Sequence, residues 1–272
     1  SIAVVAGDWA FTTGEAPIAA PGFTFAAPQT PPSGGHAPDH ALTMDGDTAV
    51  LSWASMNGLV VTTTDGAGFL PPQTLADTWA DQIDVAAANG RIHVVWTYFP
   101  PDDWGFVIYN QADLALASPP PDATAFVAAS YDPHVATGEE GDVAIVWTLN
   151  PDAWNPPGSL IVTSTDGGDS WGSIGLIDDF ARCARVAWVG DQIVTTWLDS
   201  SYPITGLHVA VSRDHGFSLD PPVPLAGAAG FLECPQLVAN HLGEVLVLWS
   251  EGLNWDDRSL KLVSFSPTTS TV

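Results

Sequence analysis

What most restricts this chain is a repeat in which a β-branched run ends in tryptophan. It occurs five times: AVLSW at Trp53, IHVVW at Trp96, VAIVW at Trp147, IVTTW at Trp197 and VLVLW at Trp249. A short strand-like run precedes each tryptophan (HALTM, IDVAA, HVATG, RVAWV, QLVAN). A third run follows after a polar loop (GLVVTTT, GFVIYN, SLIVTST, GLHVAVS, SLKLVSF), and a weaker fourth, such as GSIGLI, comes next. Pro, Gly and Asp punctuate these runs, the β-branched runs suit strands packed on both faces, and no helical apolar period is present. Four short strands about every 50 residues is the pattern of radially repeated sheets. The expectation is an all-β, five-bladed β-propeller of four-stranded antiparallel blades, one domain over residues 1–272, with six blades as the alternative. Segment 1–35, left over ahead of the first repeat, carries IAVV and WAFTTG. It is expected to close the last blade, which is short after SLKLVSFSP; pairing the chain ends would remove exposed sheet edges.

Charge narrows the partners. The chain has 31 acidic side chains against six basic ones, a net −25. A field of that sign repels phosphate backbones, which excludes nucleic acid and disfavours anionic membranes, while cations and neutral polar ligands are favoured. No run approaches the roughly 18 apolar residues that a membrane helix needs. Ser1 opens on no basic leader; a secreted or periplasmic location, with any leader removed, is expected.

The third and fourth repeats carry a sharper motif between their third and fourth strands. Ser164-Thr165-Asp166-Gly167-Gly168-Asp169-Ser170-Trp171 matches S-x-D-x-G-x-x-W in full. Ser212-Arg213-Asp214-His215-Gly216-Phe217-Ser218-Leu219 matches with Leu for Trp, and Thr63-Thr64-Asp65-Gly66 is a partial echo. In this the chain resembles the Asp-box (BNR repeat) propellers of the sialidase-like superfamily, a resemblance of fold. It implies that Asp166 and Asp214 are structural, accepting backbone N–H bonds within their own hairpins. Sialidases hold a substrate carboxylate with three arginines around the channel. Here only Arg182 and Arg185 stand near an innermost-strand start, so a typical sialidase activity is not expected.

In a propeller the first strand begins where the second ends, opposite the Asp-box turns. Counting back from each repeat tryptophan brings Asp81, Asp132, Cys183 and Cys234 to equivalent places at the channel mouth, with His40 and His134 close by. Cys183 and Cys234 admit three readings: a disulfide, which needs Cα atoms within about 7 Å; two buried thiols; or thiolates binding copper or zinc together with His40, His134 and Asp81. The loop after each repeat tryptophan lies on the same face and carries Trp104, Trp154, Tyr202 and Trp255, aromatics that would form a rim for a neutral polar ligand.

The expected function is therefore an exported propeller that binds a copper or zinc ion, a small polar ligand, or both, at the channel mouth. One alternative is a glycoside hydrolase using channel-mouth carboxylates, with Asp132 and Glu251 as the catalytic pair. Another is a non-catalytic, lectin-like carbohydrate-binding module. No G-x-S-x-G and no phosphate-binding glycine loop occurs, so no organic cofactor is expected.

Overall fold

A computed structural model describes residues 40 to 267, apart from 56–57, 65–67, 101–104, 119, 129, 151–157, 201–205, 228–230, 241 and 255–256. The closing role expected of segment 1–35 lies outside the described residues. Those residues form strands and no helix, in five antiparallel sheets. The first sheet comprises β1 (His40–Asp45), β2 (Thr48–Ser55), β3 (Gly58–Thr63) and β4 (Gln73–Ala76). The second comprises β5 (Asp81–Ala88), β6 (Arg91–Tyr98), β7 (Phe106–Asp113) and β8 (Thr124–Ala128). The third comprises β9 (Ser130–Thr137), β10 (Val143–Leu149), β11 (Ser159–Ser164) and β12 (Gly175–Asp178). The fourth comprises β13 (Ala181–Val189), β14 (Gln192–Asp199), β15 (Gly206–Ser212) and β16 (Val223–Gly227). The fifth comprises β17 (Phe231–Leu232), β18 (Gln236–Ala239), β19 (Val245–Asn254) and β20 (Asp257–Phe265).

Strands pair in chain order in the first four sheets. In the fifth, β17 and β18 both pair with β19, so the innermost line is in two pieces around Pro235, and β20 pairs along the other edge of β19. First strands of successive sheets pack on one another, β1 on β5, β5 on β9, β9 on β13 and β13 on β18. This is the inner-strand arrangement of a β-propeller.

The repeat tryptophans explain the stacking. Trp96, Trp147 and Trp197 lie mid-sheet on second strands and are almost wholly buried. Around them the β-branched residues of the second strands, such as Ile92, Val94, Ile145, Val146, Ile193 and Val194, are buried on both faces. Turn chemistry sets the hairpins: Asn89 and Gly90 both take positive φ, 53° and 76°, in the two-residue turn joining β5 to β6. Gly58 and Gly206 open equivalent third strands at φ near +130°, where an added Cβ would strike the carbonyl oxygens of Ala76 and Ala226. The two end sheets differ from the middle ones. β1 exposes Leu42 and Met44, and the fifth sheet exposes Val238, Leu260 and Leu262.

Candidate functional site at the inner-strand starts

Register defines the site. Opposite the residue just before each repeat tryptophan stand Ala41, Asp84, His134, Arg185 and Gln236 on the five inner strands. Two residues earlier, three inner strands leave the ladder in the same way. Gln82, Asp132 and Cys183 take φ of 49°, 53° and 54°, each beside a break in register. A non-glycine residue in left-handed conformation is uncommon, and a bulge of this kind re-aims a side chain. Three in register make it a property of the repeat. Cys234 holds the fourth such place, in the break between β17 and β18.

This register corrects one sequence alignment. Asp81 was matched to Asp132 by distance from the tryptophan, but the hairpin of the second sheet is one residue shorter than that of the third. Gln82 is therefore the counterpart of Asp132. Asp81 stands one place back, its Oδ1 accepting the Gln82 N–H at 3.0 Å.

The bulged residues link sheet to sheet. Gln82 Oε1 accepts the Asp132 N–H at 2.8 Å and the Thr97 hydroxyl at 3.1 Å. Arg185 forks onto Asp132, its two terminal guanidinium nitrogens each donating to one carboxylate oxygen at 3.2 Å. Asp84 Oδ2 accepts the Val135 N–H at 2.8 Å and lies 3.6 Å from His134 Nε2. His134 Nδ1 accepts the Val186 N–H at 3.4 Å, which leaves its ring proton on Nε2, toward Asp84. Burial lowers the His134 pKa more than the Asp84 charge raises it. Cys183 and Cys234 are joined in a disulfide with Cα atoms 5.3 Å apart, so the inner strands of the fourth and fifth sheets are covalently tied.

Side chains from three sheets converge here. One carboxylate oxygen of Asp132 and the two sulfurs lie within 4.8 Å of one another. Of the other residues expected to share a metal with the cysteines, His134 is held between Asp84 and Val186, Asp81 caps its neighbour, and His40 is exposed opposite Trp53. The structure does not bring these three into the Asp132–cysteine group, and two thiolates would exist there only after reduction.

The fifth sheet adds two more carboxylates. Glu251 Oε2 accepts the Trp249 indole N–H at 2.9 Å, and its other oxygen lies 3.5 Å from Lys261 Nζ. Glu233 is hydrogen-bonded by Arg258. With Arg182 and Arg185 at the start of β13, four of the six basic side chains of this acidic chain lie in this region. Beside Asp132, burial pushes the Tyr131 hydroxyl pKa up; Asp132 adds to the rise and Arg182 opposes it.

Trp104, Trp154, Tyr202 and Trp255, the expected rim, lie outside the described residues. Other aromatics on this face were missed in the sequence. Trp79 and Phe180 stand three residues before the bulges of the second and fourth sheets, and Phe99 follows β6; all three are exposed. The signal was an aromatic at the same offset ahead of two inner strands.

The far ends of the sheets are built differently. Asp166 Oδ1 accepts the Ser164 hydroxyl at 2.7 Å and the Ser170 N–H at 2.8 Å, while Oδ2 accepts the Ser170 hydroxyl. Asp214 repeats these contacts with Ser212 and Ser218. The bonds from Ser170 and Ser218 bring both carboxyl pKa values down to about 2. Each turn also reaches the preceding sheet: Arg91 donates to the Gly167 carbonyl and to Asp169, and the Thr163 hydroxyl donates to the His215 carbonyl.

No family model and no curated protein matches the chain. Solved structures do resemble it. A Hadza microbial sialidase aligns at TM-score 0.60 and 13% identity, over 85% of this chain and 56% of that one. A xylan β-1,4-xylosidase from Bacillus halodurans aligns at 0.50 and 13%, over 85% and 53%. An endo-arabinase from Bacteroides thetaiotaomicron aligns at 0.50 and 12%, over 84% and 93%. The chain thus spans about half the length of the sialidase and xylosidase chains. At these identities the likeness is one of fold, a β-propeller shared with carbohydrate-active enzymes.

Proposed function

We propose that this chain is a glycoside hydrolase that binds its glycan across the inner-strand starts, taking the five sheets as five blades around one channel. The observation that carries the reading is Asp132: a carboxylate thrust out of its ladder by a bulge, oriented through both oxygens by Arg185, on a face that also presents Glu251 and Glu233. Glycosidic bond cleavage needs two carboxyl groups, one protonating the leaving oxygen and one activating water or attacking the anomeric carbon. Asp132 suits the second role, because the Arg185 fork fixes its direction and supplies no proton. Glu251, its carboxyl placed by the Trp249 indole and Lys261, is the second carboxyl of the pair. Exposed Trp79, Phe99 and Phe180 offer ring faces for sugar stacking.

Carbohydrate-active neighbours of the same fold support this reading over the metal-binding one, and the disulfide supports an oxidising, extracytosolic location. The test is hydrolysis of xylo- and arabino-oligosaccharides by the wild type and by Asp132→Asn. The expected result is turnover that falls about 1,000-fold in the variant while it remains folded in the assay. Binding without turnover in the wild type would make the chain a lectin-like module instead.

A second reading rests on the convergence of Asp132 with the two sulfurs. Once reduced, Cys183 and Cys234 would offer two thiolates and a carboxylate, a donor set suited to zinc or copper.

A further inference from the structure

We infer that the crevice between the first and second sheets is a separate binding site for a neutral sugar unit, apart from the channel mouth. The inference shares with the proposed function the premise that the ligand is a glycan, and needs no catalysis.

The crevice exists because one repeat lacks its plugs. Between the second and third sheets, Phe126 on β8 stacks on Trp147 with ring centroids 5.5 Å apart, and Trp171 packs edge-on against Phe126 at 5.2 Å. Strand pairing makes Leu75 on β4 the counterpart of Phe126. Each follows the residue that faces the partner of a repeat tryptophan, Thr74 opposite Val60 and Ala125 opposite Ile108. The second repeat has no Asp-box tryptophan, and Pro120 and Pro121 occupy that stretch. A leucine and two prolines fill less space than a phenylalanine and a tryptophan. The crevice there holds a cavity of about 460 Å³, within the usual range of ligand sites.

Its walls match a sugar. Tyr98 supplies aromatic surface, with Trp96 buried behind it, while Leu75 and Ile108 supply apolar contact. Asp77 and Asp122 bring carboxylates to accept hydroxyl protons, and Thr78 can donate or accept. Two carboxylates in a chain of net charge −25 select against acidic sugars, which makes the ligand a neutral one.

The experiment is affinity electrophoresis of the whole chain through gels containing xylan, arabinan, mannan or β-glucan. It compares wild type, Leu75→Phe (the plug of the neighbouring crevice), Tyr98→Ala and Asp132→Asn, with melting curves confirming that each is folded. Wild type and Asp132→Asn should be retarded by at least one of these polymers, and Leu75→Phe and Tyr98→Ala should lose tenfold or more of that affinity. Unretarded wild type overturns the inference, as does equal retardation of both crevice variants. Retardation that depends on Leu75 and Tyr98, with no glycoside cleaved, would leave this site standing and remove the hydrolase reading alone.

Discussion

The two ends of the sheets are both rich in carboxylates, and use them in opposite ways. At the far end, Asp166 and Asp214 spend their acceptor capacity on the serines of their own turns, so each is complete within the short stretches Ser164 to Ser170 and Ser212 to Ser218. At the inner-strand starts, Asp132 and Asp84 are met by groups from the next sheet, Arg185 and His134. A local partner makes a turn; a partner some 50 residues away makes a site whose parts can be changed one at a time. Substitutions at one end should therefore move stability, and at the other, chemistry.

The largest expected effect is on catalysis: Asp132→Asn should lower kcat about 1,000-fold, roughly 4 kcal/mol in the barrier, well beyond what losing the Arg185 ion pair takes from stability. A comparable loss of stability would erase the contrast between the ends. Opening the Cys183–Cys234 bridge comes next. It closes a span of 51 residues, and its loss, by reduction or Cys183→Ser, should cost about 2–4 kcal/mol by chemical denaturation. The reduced wild type, dialysed against zinc, should take up about one ion and the Cys183→Ser variant none; no uptake by the reduced protein would remove the metal reading.

Third is a pH effect in the second sheet. His93 is buried against the Tyr109 hydroxyl at 2.8 Å, and burial lowers its pKa to about 4, helped by Arg91 and opposed by Asp169. Its folded value lies below its unfolded one of 6.5, so the contribution is complete above pH 6.5 and is lost as pH falls through 4. At its limit it is worth about 3 kcal/mol. Denaturation midpoints of His93→Gln and wild type should converge over that window; parallel profiles would remove His93 as the cause. The smallest effect is Asp166→Ala, about 1 kcal/mol for an exposed capping carboxylate, with glycan affinity unchanged. A selective loss of binding would place function at the far end as well.

Much of this was legible in the sequence, because the repeat tryptophan is both a packing requirement and a ruler. It marked the second strand of every sheet and brought Cys183 and Cys234 to equivalent places. The ruler failed where hairpin length varies. One residue fewer around Asn89-Gly90 moved Asp81 off the bulge and put Gln82 on it, since side chains alternate faces and a single step changes direction. The Arg185 fork had no sequence signal: its counterparts in neighbouring sheets are His134 and Gln236, and only geometry pairs it with Asp132. The crevice beside Trp96 was equally hidden, for it is defined by plugs that a different repeat possesses.

The bulge shared by Gln82, Asp132 and Cys183 has a consequence for how such a molecule can change. A left-handed residue outside the ladder leaves the flanking pairs to hold the strand, so its side chain is exchangeable as a tool bit is in a chuck. An amide, a carboxylate and half of a cystine already sit in three copies of one holder. Retooling this face for another reaction would then be a matter of swapping bits among holders, with asparagine, aspartate, histidine and glycine the easiest to seat and β-branched residues the hardest.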